Sequence, residues 1–285
     1  MRENPVHHTR CLKLAVAYDG TRFVGWQRQA EGESIQGLLE EALARLEGAP
    51  VTVHGAGRTD AGVHALGQVA SARVTFTHDT ATLARALNAQ LPQDIRVVDV
   101  ADAPADFHAR FSARSKTYRY SLRISPVADP FDRAYVWHVG AGLDVDVMRQ
   151  AAAVLAGTHD FAAFQSTGGE TSSTVRTVFR SELVSHPGGA DPVARFPLPC
   201  GADPLARRSW ASEVGVGPRE CLAYEITGDG FLRHMVRAIV GTLVEIGRGR
   251  RPATTMAELI TRGTRADAGA TAPAQGLFLV RVDYD

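Results

Sequence analysis

Cysteine is scarce in this 285-residue chain: Cys11, Cys200 and Cys221 are the only three. They form no CxxC pair and match no zinc-site spacing, which excludes a disulfide scaffold and leaves them as reduced, structural thiols. Long apolar runs are missing as well. Lys13, Arg233, Arg237 and Glu245 interrupt the best candidates, so no membrane-spanning helix is expected. The first ten residues, with Glu3, His7, His8 and Arg10, lack the apolar centre of a signal peptide, and a cytoplasmic protein is expected. Lysine is rarer still among the 31 basic residues, since only Lys13 and Lys116 are not arginine. A GC-rich coding bias explains that better than whole-chain selection for phosphate binding. Net charge is zero, so total charge gives no sign of a nucleic-acid partner and local clustering must carry that argument. What remains is the composition of a folded soluble protein, 45% hydrophobic and 22% charged, long enough for about two domains.

The pattern along the chain reads as β-α-β-β-α-β, twice. Strand Leu12–Tyr18 precedes a helix marked by Ile35, Leu38, Leu39, Ala42, Leu43 and Leu46, with Ser34 placed to cap it and Gly48 to stop it. Strands follow at Val51–His54 and Gln68–Phe76, then a helix over Thr82–Asn88 and a strand over Ile95–Val100. From 116 the order repeats: strand Lys116–Ile124, helix Val145–Ala156, strands Thr174–Val184 and Leu222–Thr227, helix Phe231–Ile246 and strand Leu277–Val282. An additional helix is expected near Thr255–Thr261. The fold class is therefore α+β, with two ferredoxin-like halves whose antiparallel sheets meet at a central cleft. A tail at 1–10, an N-terminal half at 11–112 and a C-terminal half at 113–285 follow. Residues 186–219 hold six of the 14 prolines and read as a surface insertion.

Three places carry chemistry. Gly55-Ala56-Gly57-Arg58-Thr59-Asp60-Ala61-Gly62-Val63-His64 joins two strands and is neither a dinucleotide fingerprint nor a P-loop. Its glycines let backbone approach a ligand closely, and Arg58 and Asp60 suggest a held carboxylate. The second place runs from Phe107 to Ser125, where His108, Arg110, Arg114, Lys116, Arg119 and Arg123 occur without an acidic residue and Phe111, Tyr118 and Tyr120 interleave. Basic charge for phosphates and aromatic faces for bases are what recognition of unpaired RNA requires. The third is the helix after Gly230, where Arg233 and Arg237, four apart, flank an apolar stripe and Arg237 is able to pair with a carboxylate. His234 takes no role. No metal is expected, because the ten histidines include no HExxH and His54 and His64 alone are not a ligand set.

Gly57–His64 resembles the signature of the tRNA pseudouridine synthase A family. Tyr18-Asp19-Gly20, Gly25–Gln29, Asp106–Phe111, Tyr118-Arg119-Tyr120, His234–Arg237 and Gly276–Val280 follow in the family's order. The resemblance implies a cofactor-free isomerase that converts uridine to pseudouridine at positions 38, 39 and 40 in the anticodon arm of tRNA, working as a homodimer without a nucleotide cofactor. It makes Asp60 the catalytic aspartate, Tyr118 the tyrosine that stacks on the base, and Arg237 the arginine paired with the aspartate. Arg58, Arg110 and Leu277 are expected to contact substrate. A lone carboxylate in the motif suits isomerisation, since glycosidic hydrolysis ordinarily calls for two. Two rival readings are a non-catalytic RNA binder, which gains nothing from Asp60, and a glycosidase, for which Asp19 is the second carboxylate on offer.

Overall fold

The computed structural model describes residues 9–166, 168, 171–186 and 220–284. The expected insertion at 186–219 falls almost wholly outside the described residues, as does Cys200. Cys11 and Cys221 are buried, free thiols. The chain divides into two compact units, one comprising Met1–Lys116 with Phe278–Asp285 and the other Thr117–Leu277.

The first unit runs β1 (Arg10–Tyr18), α1 (Ile35–Glu47), β2 (Val53–Gly55), β3 (His64–Val74), α2 (Thr80–Gln90) and β4 (Ile95–Ala103), the order read from the sequence. Ser34 Oγ accepts the Gly37 amide at the start of α1, and Gly48 ends it at φ 74°, a left-handed conformation that favours glycine. Asp79 caps α2 through the Thr82 amide. β1 pairs antiparallel with both β3 and β4, and β2 pairs antiparallel with β3. The strand order is therefore β4-β1-β3-β2. Leu12, Leu14 and Val16 of β1 are fully buried, the alternation expected of a sheet covered on one face, and Leu39, Leu43, Leu83 and Leu87 of the two helices join that core.

β3 starts at His64, four residues before the apolar run that marks it in the sequence. Its second half pairs with β2, and its first half pairs in parallel with the closing strand β10 (Leu277–Asp283), at His64 with Phe278 and Ala65 with Leu279. Gly67 admits this strand closely, since a Cβ there would lie 2.6 Å from the Val280 carbonyl oxygen.

In the second unit the order is β5 (Ser115–Ile124, its first two residues belonging to the first unit), β6 (Trp137–His138), α3 (Val145–Ala153), β7 (Gly157–Asp160), β8 (Val175–His186), β9 (Glu220–Gly228), α4 (Met235–Gly247) and α5 (Thr255–Arg262). Strands lie in the order β5-β9-β8-β7, with β8 antiparallel to both of its neighbours. β6 and β7, of two and four residues, lack the length that makes alternation visible in a sequence. α4 is buried along nearly its whole length, with Met235, Ile239, Val240 and Leu243 fully covered.

One expectation is corrected here. α4 begins at Met235, not near Phe231, and His234 before it adopts φ 62°. A left-handed residue interrupts helical geometry, so Arg233 lies outside the helix and shares no helical face with Arg237, which sits in the first turn.

Candidate active site

The loop between β2 and β3 carries Arg58 and Asp60, and it is shaped by the segment that follows β1. Tyr18 ends β1 with its hydroxyl 2.8 Å from Thr59 Oγ1 in a buried contact. Gln68, fully buried on β3, donates to the Gly57 carbonyl at 2.8 Å. The Trp26 amide donates to the Thr59 carbonyl at 3.0 Å, and the Val63 amide to that of Asp60 at 3.1 Å. Three glycines make the approach possible. A Cβ on Gly20 would lie 2.0 Å from the Val63 carbonyl oxygen, one on Gly25 2.6 Å from that of Thr59, and one on Gly55 2.4 Å from the Trp26 indole. Gly25 also sits at φ 108°, outside the range of other residues. Backbone on both sides of Asp60 is thus clamped against a second stretch of chain, and the Asp60 side chain is half-buried.

His64 closes the loop. It is buried, stacks on Phe278 at 4.6 Å, and places Nδ1 3.1 Å from the Gly20 amide and 3.2 Å from Asp19 Oδ1. Asp19 is thereby a positioning group, also accepting the Thr21 amide at 2.9 Å. Burial pushes the Tyr18 hydroxyl up to about 12, against the smaller opposing effect of its bonds to Thr59 and Gln68. Tyr18 therefore stays neutral near pH 7 and serves as a strut.

Tyr118, Arg237 and Leu277 belong to the second unit, and Tyr120 bonds to the segment that holds the last two. Tyr120, fully buried on β5, donates its hydroxyl to the Pro273 carbonyl at 2.7 Å. The neighbouring residue Ala272 holds Arg237 twice: its amide donates to the Arg237 carbonyl at 3.0 Å, and its carbonyl accepts Arg237 Nε at 2.8 Å. That fixes the plane of the guanidinium. Tyr120 also floors the turn before Leu277, for a Cβ on Gly276 would lie 2.6 Å from its ring. Burial drives the Tyr120 hydroxyl well above its usual range, opposed by the Arg237 charge, so it remains a neutral donor. Tyr118, two residues earlier, meets Phe231 edge to face at 5.0 Å and is 7% exposed.

His234, without a role in the residue pattern, anchors the start of α4 by a 2.8 Å bond between Nδ1 and Ser166 Oγ. The Ser166 amide donates to the Arg233 carbonyl at 3.2 Å. The first turn containing Arg237 is thus tied to the turn after β7.

The basic stretch 107–125 is not uniformly available. Arg119 pairs with Glu225, its Nε 2.7 Å from Oε1, and buried Arg123 pairs with Asp132 at 2.8 Å. Two of the basic residues of this stretch are therefore taken up by carboxylates within the fold. Arg58, Arg110 and Arg114 are exposed and make no ion pair among the described residues. Among those residues no cluster of three potential metal ligands occurs, and no helix is long and apolar enough to cross a membrane.

Gln68 is the contributor that residue patterns alone pass over; its one signal is its place on a strand flanking a motif, where an inward polar group demands a partner. Tyr18, Asp19 and Tyr120 stand in the motifs named above, and the structure gives them supporting contacts that the motifs do not specify.

A family model described as tRNA pseudouridine synthase matches residues 14–112 and 151–285. The tRNA pseudouridine synthase A of Syntrophotalea carbinolica is 42% identical over 273 residues, spanning 96% of this chain and 96% of that protein. That of Solidesulfovibrio magneticus is 45% identical over 278 residues, 96% and 90% of the respective chains, and that of Myxococcus xanthus 42% over 273, covering 96% and 91%. The matched regions take in the clamped Asp60 loop, the start of α4 and the Gly276–Leu277 turn, and the chain belongs to the tRNA pseudouridine synthase family, isomerases that act on uridine in tRNA.

Proposed function

We propose that the protein converts uridine to pseudouridine at positions 38, 39 and 40 of the tRNA anticodon arm, with Asp60 as its catalytic carboxylate. The observation that carries this reading is the seat of Asp60. Its loop is clamped on both sides by Gly20, Gly25 and Trp26, an investment in rigidity that a turn with no task does not need. The strand order β4-β1-β3-β2 of the first unit supports ferredoxin-like halves, as does β5-β9-β8 in the second. In this reading the enzyme works as a cytoplasmic homodimer and needs no cofactor.

The target uridine leaves its stack at a cost of a few kcal/mol, least in a loop or at a stem end. Tyr118 stacks on the extruded base, and Arg237 pairs with Asp60. The C1′–N1 bond breaks and uracil turns while still bound. C5 then bonds to C1′, C5 loses its proton and N1 gains one, so the net change is an isomerisation with no external nucleophile. Asp60 acts either by attacking C1′ or by removing a sugar proton. Tyr118 is the base proposed for the C5 proton, while Arg58, Arg110 and Leu277 hold substrate.

The test is incubation with unmodified tRNA, without added metal or nucleotide, followed by chemical mapping of pseudouridine. Product is expected at positions 38–40 with the wild type, and none with Asp60→Asn, which retains tRNA binding. Full activity of that variant removes the mechanism.

A further inference from the structure

The segment between β4 and β5 is pinned to the first unit by its backbone, with Ala109 buried, while Arg110 and Phe111 face outward. The Phe107 carbonyl accepts from Cys11 Sγ at 3.6 Å and the Ala105 carbonyl from Arg73 at 2.8 Å. The Ala109 amide donates to Ser71 Oγ at 3.1 Å, and its carbonyl accepts the Tyr284 hydroxyl at 2.8 Å. A segment held this way presents its side chains without an ordering cost at the moment of binding.

Those side chains form a ladder of rings. His54, on β2 immediately before Gly55 of the Asp60 loop, lies 4.8 Å from His108 at an interplanar angle of 32°. His108 lies 4.4 Å from Phe111 at 36°. His108 Nδ1 accepts the amides of Arg110 at 3.1 Å and Phe111 at 3.4 Å, which fixes its ring and leaves the proton on Nε2. Burial, with the neighbouring His54 and Arg110, lowers its pKa, so the middle rung is uncharged near pH 7. The ladder ends on Phe111, 76% exposed, with the Arg110 guanidinium 5.6 Å from its ring centroid.

We propose that His54, His108 and Phe111 form a stacking ledge for an unpaired nucleobase of the substrate tRNA other than the reacting uridine, with Arg110 on the adjoining phosphate. The ledge deepens the tRNA reading given above and rests on it. An exposed phenylalanine contributes little to a fold, whereas its open face is worth a base stack. A narrow ring ladder, rimmed by imidazole and guanidinium, matches nucleobase and phosphate better than it matches an apolar protein surface, which needs a wider contiguous patch.

The experiment measures steady-state pseudouridine formation and tRNA binding by the full chain. Phe111→Ala is expected to raise KM and Kd for unmodified tRNA about tenfold, within the range of one base–aromatic stack, with kcat and Tm unchanged. Phe111→Trp restores binding, and Phe111→Leu, of similar apolar bulk without a ring, behaves like the alanine variant. Unchanged KM and Kd in Phe111→Ala, or a leucine variant as good as wild type, overturns the ledge. So does a change of oligomeric state in Phe111→Ala by sedimentation, which assigns the ring to a contact between copies. If wild type forms no pseudouridine yet binds tRNA in a Phe111-dependent way, the catalytic reading fails and the ledge stands.

Discussion

In residues 55–63 the shape of the chain is set mainly by uncharged side chains and backbone. Tyr18, Gln68 and the Trp26 amide hold the backbone, three glycines let it close, and exposed Arg58 is not part of that frame. β5 works the other way round. Its arginines are structural, Arg119 on Glu225 and Arg123 on Asp132, with buried Arg123 also reaching Cys221 Sγ. The difference teaches that charge is informative about function only after the charge a fold consumes has been subtracted. Arg58, Arg110 and Arg114 are what is left of the basic signal; Arg119 and Arg123 are not.

Three variants sharpen or break that contrast. The largest expected effect on stability is from Arg123→Ala, which takes the guanidinium from a buried carboxylate at Asp132 and is expected to cost about 3–5 kcal/mol in denaturant unfolding. A surface-like cost below about 1 kcal/mol would mean that Arg123 is not consumed by the fold. Gly20→Ala comes next, because the new Cβ would lie 2.0 Å from the Val63 carbonyl oxygen and must push the Asp60 loop aside. A stability loss of about 1–3 kcal/mol is expected, together with a fall in turnover of about 100-fold at little change in tRNA affinity. Equal loss of both would show that the clamp serves binding. Arg110→Ala is the smallest: Tm stays constant, tRNA affinity falls a few-fold, and the salt dependence of binding flattens by about one counterion. A Tm drop would place Arg110 with the structural arginines.

The elements of the first unit were legible because each carries its own local marks: Ser34 and Gly48 bracket α1, and β1 alternates from Leu12 to Tyr18. The Asp60 motif was legible as a loop because a run of glycine between two strands has few other uses. Its clamp was not, since the glycines that permit it, Gly20 and Gly25, lie in a different segment and act through what they touch. The partners of β5 were hidden for the same reason: Glu225 stands 106 residues from Arg119, and no local pattern links them. The start of α4 was misread because His234 supplies a left-handed turn usually left to glycine or asparagine, stabilised by Ser166 from a remote turn. Helical periodicity extends through Leu232 in the sequence while the backbone does not follow it. Gln68 escapes a reading by motif because it acts through where it sits, on the Gly57 carbonyl.

The parallel pairing of Phe278 with His64 has a consequence for how the enzyme is made. His64 forms the exit of the Asp60 loop, and its stacking partner and neighbouring strand are encoded far downstream. Chains are synthesised from the N-terminus and their domains settle as they emerge. On the ribosome, β1 to β4 are ready early, but the seat of His64 stays incomplete until residues 278–284 have been released. A polypeptide that stops short of residue 278 already contains Arg58, Arg110 and Arg114, yet the loop bearing Asp60 still lacks one of its walls.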